Sequence, residues 1–422
     1  MCQRTYGTER SGTIVIHLKQ EVGNTTLLAR RHLLKLDAQT SAARREMHMT
    51  GSISCVARGP RTERRSGALS PASLTACNDE FVVPSRRHDD PARFVGYRNH
   101  LAEPVIALLA DNTKNQYSQR KAIWNWLYQH NPFIGDKELG FALVGQNRVV
   151  GYNGFIPIHL LRDGELICSA WSFDTILLPE ARGRGYGGKF VDLVKSSYPI
   201  VLGYGIGDLQ AKIMLNRGYR ASAEIERFFY SNSPRTVREW GKCGLQLSKR
   251  LTRSHQRVEV SNLSIDIGSA RHLPSEIDRL WDSVKSSHKN IVVRDSAYMQ
   301  WRYAMHPVKD YSTLVVRENN VLRALAIFEQ TKKCANLVDY LGGANDREAM
   351  QLIVETFIMT SSSSHLLACT CTNACLKSAL GINGFRRYRD RPKFYVYSNL
   401  DNDQDWTSSW FVMDGDSDVN YY

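Results

Sequence analysis

The chain has 422 residues, 42% of them apolar and 10% aromatic, which describes a soluble globular protein of two or three domains. Its longest apolar runs, such as residues 104–110, are too short to cross a bilayer, and the start lacks the unbroken apolar segment of a secretory signal. The net charge of +13 suits an anionic ligand, nucleic acid or a membrane surface, and charge by itself does not choose among them. Nine scattered cysteines, an odd number, read as reduced thiols, so a cytoplasmic location is expected.

Residues 1–90 carry 14 Lys and Arg against nine Asp and Glu, with Arg, Ser, Thr and Gly clusters and few apolar pieces. They are expected to be a disordered basic tail. From about Phe94 the pattern becomes globular. Residues 103–109 read as a helix. Residues 118–130 read as a second, with Ile123, Trp126 and Leu127 on one face, stopped by Asn131-Pro132. Strands with hairpin turns follow over 141–144, 149–152, 155–161 and 166–173. Asp174-Thr175-Ile176-Leu177-Leu178 then feeds a turn at Pro179-Glu180 and a loop with four glycines in six residues, Gly183 to Gly188. A helix starts there and runs through Phe190, Leu193 and Val194. A buried-type strand is expected over 200–204, a helix over 208–216, and a closing strand over 228–232.

Residues 236–270 form a basic connector. A helix over 276–286 opens a second half that echoes the first. Trp126-Leu127-Tyr128 to Pro132 recurs as Trp301-Arg302-Tyr303 to Pro307, at an offset of 175. Asn216-Arg217-Gly218-Tyr219 recurs as Ile382-Asn383-Gly384-Phe385, and Tyr230-Ser231-Asn232 as Tyr397-Ser398-Asn399. The second copy lacks the glycine loop: Gly342-Gly343-Ala344-Asn345-Asp346 stands in its place.

A strand turning through glycines into a helix start is a phosphate cradle. Backbone N–H groups converge, the helix dipole adds positive charge, and glycine lets an anion approach. Arg182, Arg184 and Lys189 add full charges. The loop is not a Walker motif, because no Gly-Lys-Ser/Thr follows. It is not a dinucleotide fingerprint either, because no acidic residue ends a second strand about 20 residues on.

Arg182-x-x-Gly185-x-Gly187, two residues after Pro179-Glu180, resembles the coenzyme A pyrophosphate loop of the GNAT acetyltransferase superfamily. The resemblance covers roughly residues 92–400. It implies an α/β (α+β) chain of tandem GNAT folds, each a mixed, mostly antiparallel twisted sheet flanked by helices. One GNAT domain would span 92–235, a second without the cofactor loop 271–400, and a C-terminal tail 401–422. The narrower likeness is to two-domain bacterial proteins of polysaccharide and cell-surface sugar biosynthesis, through Trp301-Arg302-Tyr303 to Pro307 and residues 410–418.

The resemblance implies transfer of an acyl group, acetyl by preference, from CoA to a small amine such as an amino sugar or its nucleotide-linked form, with no metal. The diphosphate would lie on the backbone of Arg182, Gly183, Arg184, Gly185, Tyr186, Gly187, Gly188 and Lys189. Pantetheine would follow Ile176, Leu177 and Leu178, where that strand splays from residues 200–204. A backbone N–H near Leu177 would face the thioester oxygen. Asp208 stands where the family has a CoA-contacting asparagine. Asp174 is the first candidate base, and Glu180 a loop-orienting residue. The family's acidic tyrosine falls at Met214, so Tyr204 or Tyr219 is the candidate substitute. Trp301, Arg302 and Tyr303 could line an acceptor cleft. Two rivals are an aminoacyl-tRNA-dependent transferase of the peptidoglycan-bridge type and a non-catalytic CoA- or partner-binding protein. Nucleic acid and membrane insertion are not expected. Cys369, Cys371 and Cys375 lack the spacing of a zinc site and read as buried thiols.

Overall fold

The computed structural model describes residues 14–16, 80–81, 92–97, 101–112, 116–145, 148–232, 262–389, 392–400 and 405–417. Among them no helix is long and apolar enough to cross a membrane. Of residues 1–90, two short edge strands are described, β1 (Ile14–Ile16) and β2 (Glu80–Phe81). The rest of that expected tail, and the connector up to residue 261, lie outside the described residues.

The first half contains β3 (Arg93–Gly96), α1 (Ala102–Asn112), α2 (Tyr117–Gln129), β4 (Gly140–Gly145), β5 (Arg148–Arg162) and β6 (Glu165–Leu177). Then come α3 (Tyr186–Ser197), β7 (Ile200–Tyr204), α4 (Asp208–Leu215), β8 (Arg220–Ser222) and β9 (Glu226–Ser231). The second half repeats this plan with β10 (Leu263–Ser269), α5 (Ile277–Val284), β11 (Asn290–Val292), β12 (Ser312–Glu318), β13 (Val321–Gln330) and β14 (Cys334–Leu341). It continues through α6 (Arg347–Thr360), β15 (Leu366–Cys371), α7 (Ala374–Ile382), β16 (Arg386–Arg387), β17 (Phe394–Ser398) and β18 (Trp410–Phe411).

Two mixed, mostly antiparallel sheets result. Strand alternation sorts side chains to the two faces of the first sheet. Trp171, Phe173, Leu202 and Tyr204 share a core with Ile106, Leu109, Ile123 and Leu127 of α1 and α2. Ala170 and Val201 face the other way, onto Val191 and Val194 of α3 and Ala211 and Met214 of α4.

The closing strands are exchanged between the halves. The expected strand over 228–232 does not close the first sheet: β9 pairs antiparallel with β15 of the second. In return β17 inserts between β7 and β8 of the first. The ends match: Asn232 N–H donates to His365 O at 3.1 Å, and Asn399 N–H to Pro199 O at 3.0 Å. The expected division between the two halves, after residue 235, is therefore crossed by strand pairing in both directions. Sequence periodicity identifies a strand but not its partner.

The repeats also meet at a pseudo-twofold contact. Trp126 and Trp301 stack with ring centroids 5.1 Å apart. Each indole N–H donates to the other's carbonyl, Trp126 to Trp301 O at 2.7 Å and Trp301 to Trp126 O at 3.0 Å. Trp301, Arg302 and Tyr303 are buried here. They do not line an acceptor cleft, because the apolar area and indole N–H groups are consumed between the halves. The second echo is a pair of helix ends: Gly218 and Gly384 both have φ +88°, and Tyr219 and Phe385 N–H return to the last helical turn.

Residues 405–417 are not a tail. β18 runs parallel to β11, and residues 410–417 are buried. Nearby, His288 is buried with Nε2 2.9 Å from Gly342 O. Burial disfavours its charged form and lowers its pKa to about 4. The folded value lies below the unfolded one of about 6.5, so this contribution is complete above pH 6.5 and is lost as pH falls towards 4. Urea unfolding at pH 7 and pH 5 checks it. In His288→Gln the acid-induced loss of stability should shrink by about 2 kcal/mol. An unchanged loss contradicts the assignment.

Candidate functional site

Strand β6 organises the site. It pairs parallel with β7 only at Ser169–Ile200, Ala170–Val201 and Trp171–Leu202. Beyond Trp171 the two strands diverge, so β6 from Ser172 onward has a free edge. Leu178 N–H bonds Val150 O on the β5 side at 2.9 Å. Alternation therefore turns the Leu177 N–H and C=O to the open side. That carbonyl accepts from Arg182 Nε at 2.9 Å.

A bulge interrupts β6 opposite Asn153, where the pairing with β5 shifts between Tyr152 and Gly154. Asp174 sits in the bulge with φ +48°, a left-handed conformation that strains a non-glycine residue by about 1 kcal/mol. The bulge turns its carboxylate to the α2 side. There it pairs with Arg120 Nη1 at 2.9 Å, with the side chains 13% and 5% exposed. A small cavity beside this pair is lined by Ile106, Leu109, Ile123, Trp124 and Leu127.

On the opposite side of β6 lies a polar cluster that sequence reading missed. Asn153, 1% exposed, donates to Ser172 Oγ at 3.2 Å and to Thr175 Oγ1. Asn153 and Ser172 line a cavity with Val191, Val194, Gln210, Met214 and Tyr219. No motif links these residues; the bulge brings them together.

After β6, residues Pro179–Ala181 make one 3-10 turn, held by the exposed Arg148–Glu180 pair. Gly183 and Gly185 have φ +76° and +83°, and a Cβ at either would meet nothing within 4 Å. Gly185 caps α3 with no side-chain hydrogen bond. Among the described backbone hydrogen bonds, none is donated by Gly183, Arg184, Gly185, Tyr186 or Gly187. Residues 182–185 and Lys189 are exposed. The loop thus presents unspent N–H groups, a helix N-terminus and three cations on one surface. Gly188 serves a different purpose: Arg217 packs where its Cβ would be and pairs with Asp192 at 3.1 Å.

The matching loop of the second half is occupied by its own chain. Asp346 caps α6, accepting from Ala349 N–H at 3.1 Å, and Arg323 grips the same carboxylate through two bonds of 2.8 Å. The second splay is filled as well. β14 and β15 part after Leu337–Cys369, and Val412 to Asp416 runs between them. Met413 bridges Cys371, Thr372 N–H donates to Val412 O at 3.1 Å, and a Cβ on Gly415 would lie 2.8 Å from Val338 O.

Other expected residues fall elsewhere. Tyr204 is buried with the α1–α2 core and donates to Asp414 Oδ1 at 2.7 Å. Burial raises its pKa far above that of a free phenol. Its proton is committed to Asp414, which removes it from the acid role expected for it. Asp208 opens α4, exposed, and pairs with Lys393 just before β17. Tyr219 is buried beside Tyr397. Ile176 and Leu178 pack partly into the α1–α2 core, and Leu177 and Leu178 also meet the cluster around Phe190. Cys369 and Cys371 are buried in β15.

No family model matches the chain, and no curated protein matches it. Solved structures do. One is an Enterococcus faecalis V583 conserved protein of unknown function, described as a "Probable N-Acyltransferase", with TM-score 0.54 and 11% identity over 74% of this chain and 73% of that one. Another is a GCN5-related N-acetyltransferase from Anabaena variabilis ATCC 29413, with TM-score 0.52 and 10% identity over 72% of each chain. At such identities the likeness is one of fold: the chain has the two-sheet α/β fold of GNAT proteins.

Proposed function

We propose that this GNAT-fold chain is an acyl-CoA-dependent N-acyltransferase, with acetyl as the acyl group and a small amine as acceptor. The observation that carries the reading is the junction of unspent loop amides at Gly183 to Gly187 with the free edge of β6. The first suits a diphosphate and the second an amide-containing arm. Arg182, Arg184 and Lys189 supply the charge complement, and the Leu177 N–H faces the arm.

The chemistry divides across β6. The amine approaches from the α2 side, where Asp174 accepts its N–H and Arg120 holds the carboxylate in place. A backbone N–H on the open edge of β6, such as that of Leu177, meets the developing oxyanion. The second half binds no donor, since Asp346 and Val412 to Asp416 hold the corresponding positions. It completes the first sheet through β17.

Acetyl-CoA turnover followed by thiol release over a panel of amines, amino sugars and nucleotide-linked amino sugars included, tests the reading. Release dependent on one amine class is expected. Asp174→Asn should lower kcat about 100-fold, within the usual range for a lost general base. Tight acetyl-CoA binding with no release on any amine would favour a non-catalytic CoA-binding protein. Release driven by aminoacyl-tRNA in place of acetyl-CoA would favour the peptidoglycan-bridge type.

A further inference from the structure

Thioester aminolysis expels a thiolate, and the position at which the GNAT resemblance implies a proton-donating tyrosine holds Met214. Its methyl packs against Gly203 of β7, where a Cβ would lie 2.9 Å from Met214 Cε. A thioether has no proton to donate. Across the cavity from Met214, on the β6 side of the splay, stand Ser172 and Asn153.

Length places the reacting sulfur there. A pantetheine arm spans about 15 Å from diphosphate oxygen to sulfur at ordinary bond lengths. A strand advances about 3.3 Å per residue. An arm laid along β6 from Leu177 or Leu178 therefore ends between Ser172 and Asp174. Ser172 is also the first residue beyond the last paired rung, Trp171–Leu202.

We propose that the Ser172 hydroxyl, oriented by Asn153, donates the hydrogen bond that stabilises the departing sulfur. Asn153 Nδ2 donates to Ser172 Oγ at 3.2 Å, which fills one lone pair of the oxygen. The hydroxyl proton itself has Asn153 Oδ1 at 3.5 Å, the outer limit of a hydrogen bond. It is available to a closer acceptor. During transfer the amine nitrogen bonds to the carbonyl carbon, the C–S bond breaks, and its electron pair goes to sulfur. The amine's proton leaves through Asp174 to water. The thiolate departs hydrogen-bonded to Ser172 and takes its proton from water afterwards. Ser172 is thus a catalytic residue that needs no change of its own protonation.

The inference rests on the acyl-CoA reading, and its test needs no acceptor. Calorimetric titration at pH 9 compares CoA, whose thiol is then partly ionised, with desulfo-CoA, which lacks the sulfur. In Ser172→Ala, CoA should bind about tenfold more weakly, as expected for a hydrogen bond to a charged group, while desulfo-CoA binds as before. Ser172→Thr should keep the preference for CoA, and the isosteric Ser172→Val should lose it. Equal losses for both ligands, or no loss, would overturn the proposal while leaving the acyl-CoA reading intact. Wild-type protein that binds neither ligand would overturn that reading itself.

Discussion

Gly185→Val is expected to weaken acetyl-CoA binding at least about 100-fold, a loss of about 2.7 kcal/mol, while the unliganded chain keeps its fold. Gly185 adopts φ +83° and caps α3 without a side chain. A β-branched residue there is strained by about 1–2 kcal/mol, so the loop would leave the left-handed region and rotate its amides away. A Cβ at this position meets nothing within 4 Å, so no core packing is disturbed. Gly187→Val has a milder packing consequence, with Ile213 and Leu177 side chains at 3.5 and 3.7 Å. Gly188→Val differs in kind, because it displaces Arg217 and not the cofactor. Calorimetry of the three variants separates these roles. Unchanged affinity in Gly185→Val would remove the loop from the site.

Asp339→Ala lowers stability by about 3–5 kcal/mol, a large share of a typical domain's total of about 5–15 kcal/mol. Arg294 is fully buried and held by Asp339 at 2.9 Å and Asp416 at 2.8 Å. Asp339 also accepts from Tyr303 at 2.6 Å. Its removal leaves a buried guanidinium and a buried phenol short of a partner. The loss is not confined to the second half, because β17 and β9 are exchanged. Neither sheet can close when the other opens. Urea unfolding should show one transition, displaced as a whole in the variant. Two transitions, with the first half melting at its wild-type midpoint, would contradict the coupling.

Much of this organisation is legible in the chain itself. The glycine loop depends on local backbone rules, and those are written in Pro179, Gly183, Gly185 and the apolar residues flanking them. The duplication is legible because Trp126 and Trp301 recur with their neighbours. What they do is not legible. Their reciprocal indole bonds need two segments 175 residues apart, and nothing local encodes that meeting. The same limit hid the strand exchange. Tyr230-Ser231-Asn232 and Tyr397-Ser398-Asn399 have the same strand pattern, so the pattern fits either sheet.

The side of β6 proposed for catalysis is less legible than the glycine loop. Asp174 was visible as an acidic residue after an apolar strand. Its pairing with Arg120 was not, because Arg120 lies on α2, 54 residues earlier. Asn153, Ser172 and Thr175 are common polar residues with no motif, and the bulge gathers them. Tyr204 misled because a tyrosine at a strand end is compatible with catalysis or burial. Asp414, 210 residues later, decides for burial. The C-terminal residues read as a tail because they are short and acidic. Residues 412–416 instead fill the second groove.

Titration of the whole chain with acetyl-CoA tests the central claim most directly. One binding site per chain is expected and, at 100 times Kd, a gain in unfolding free energy of about 2.7 kcal/mol that Gly185→Val eliminates. Absence of any gain in the wild-type chain, or a stoichiometry of two, would contradict it.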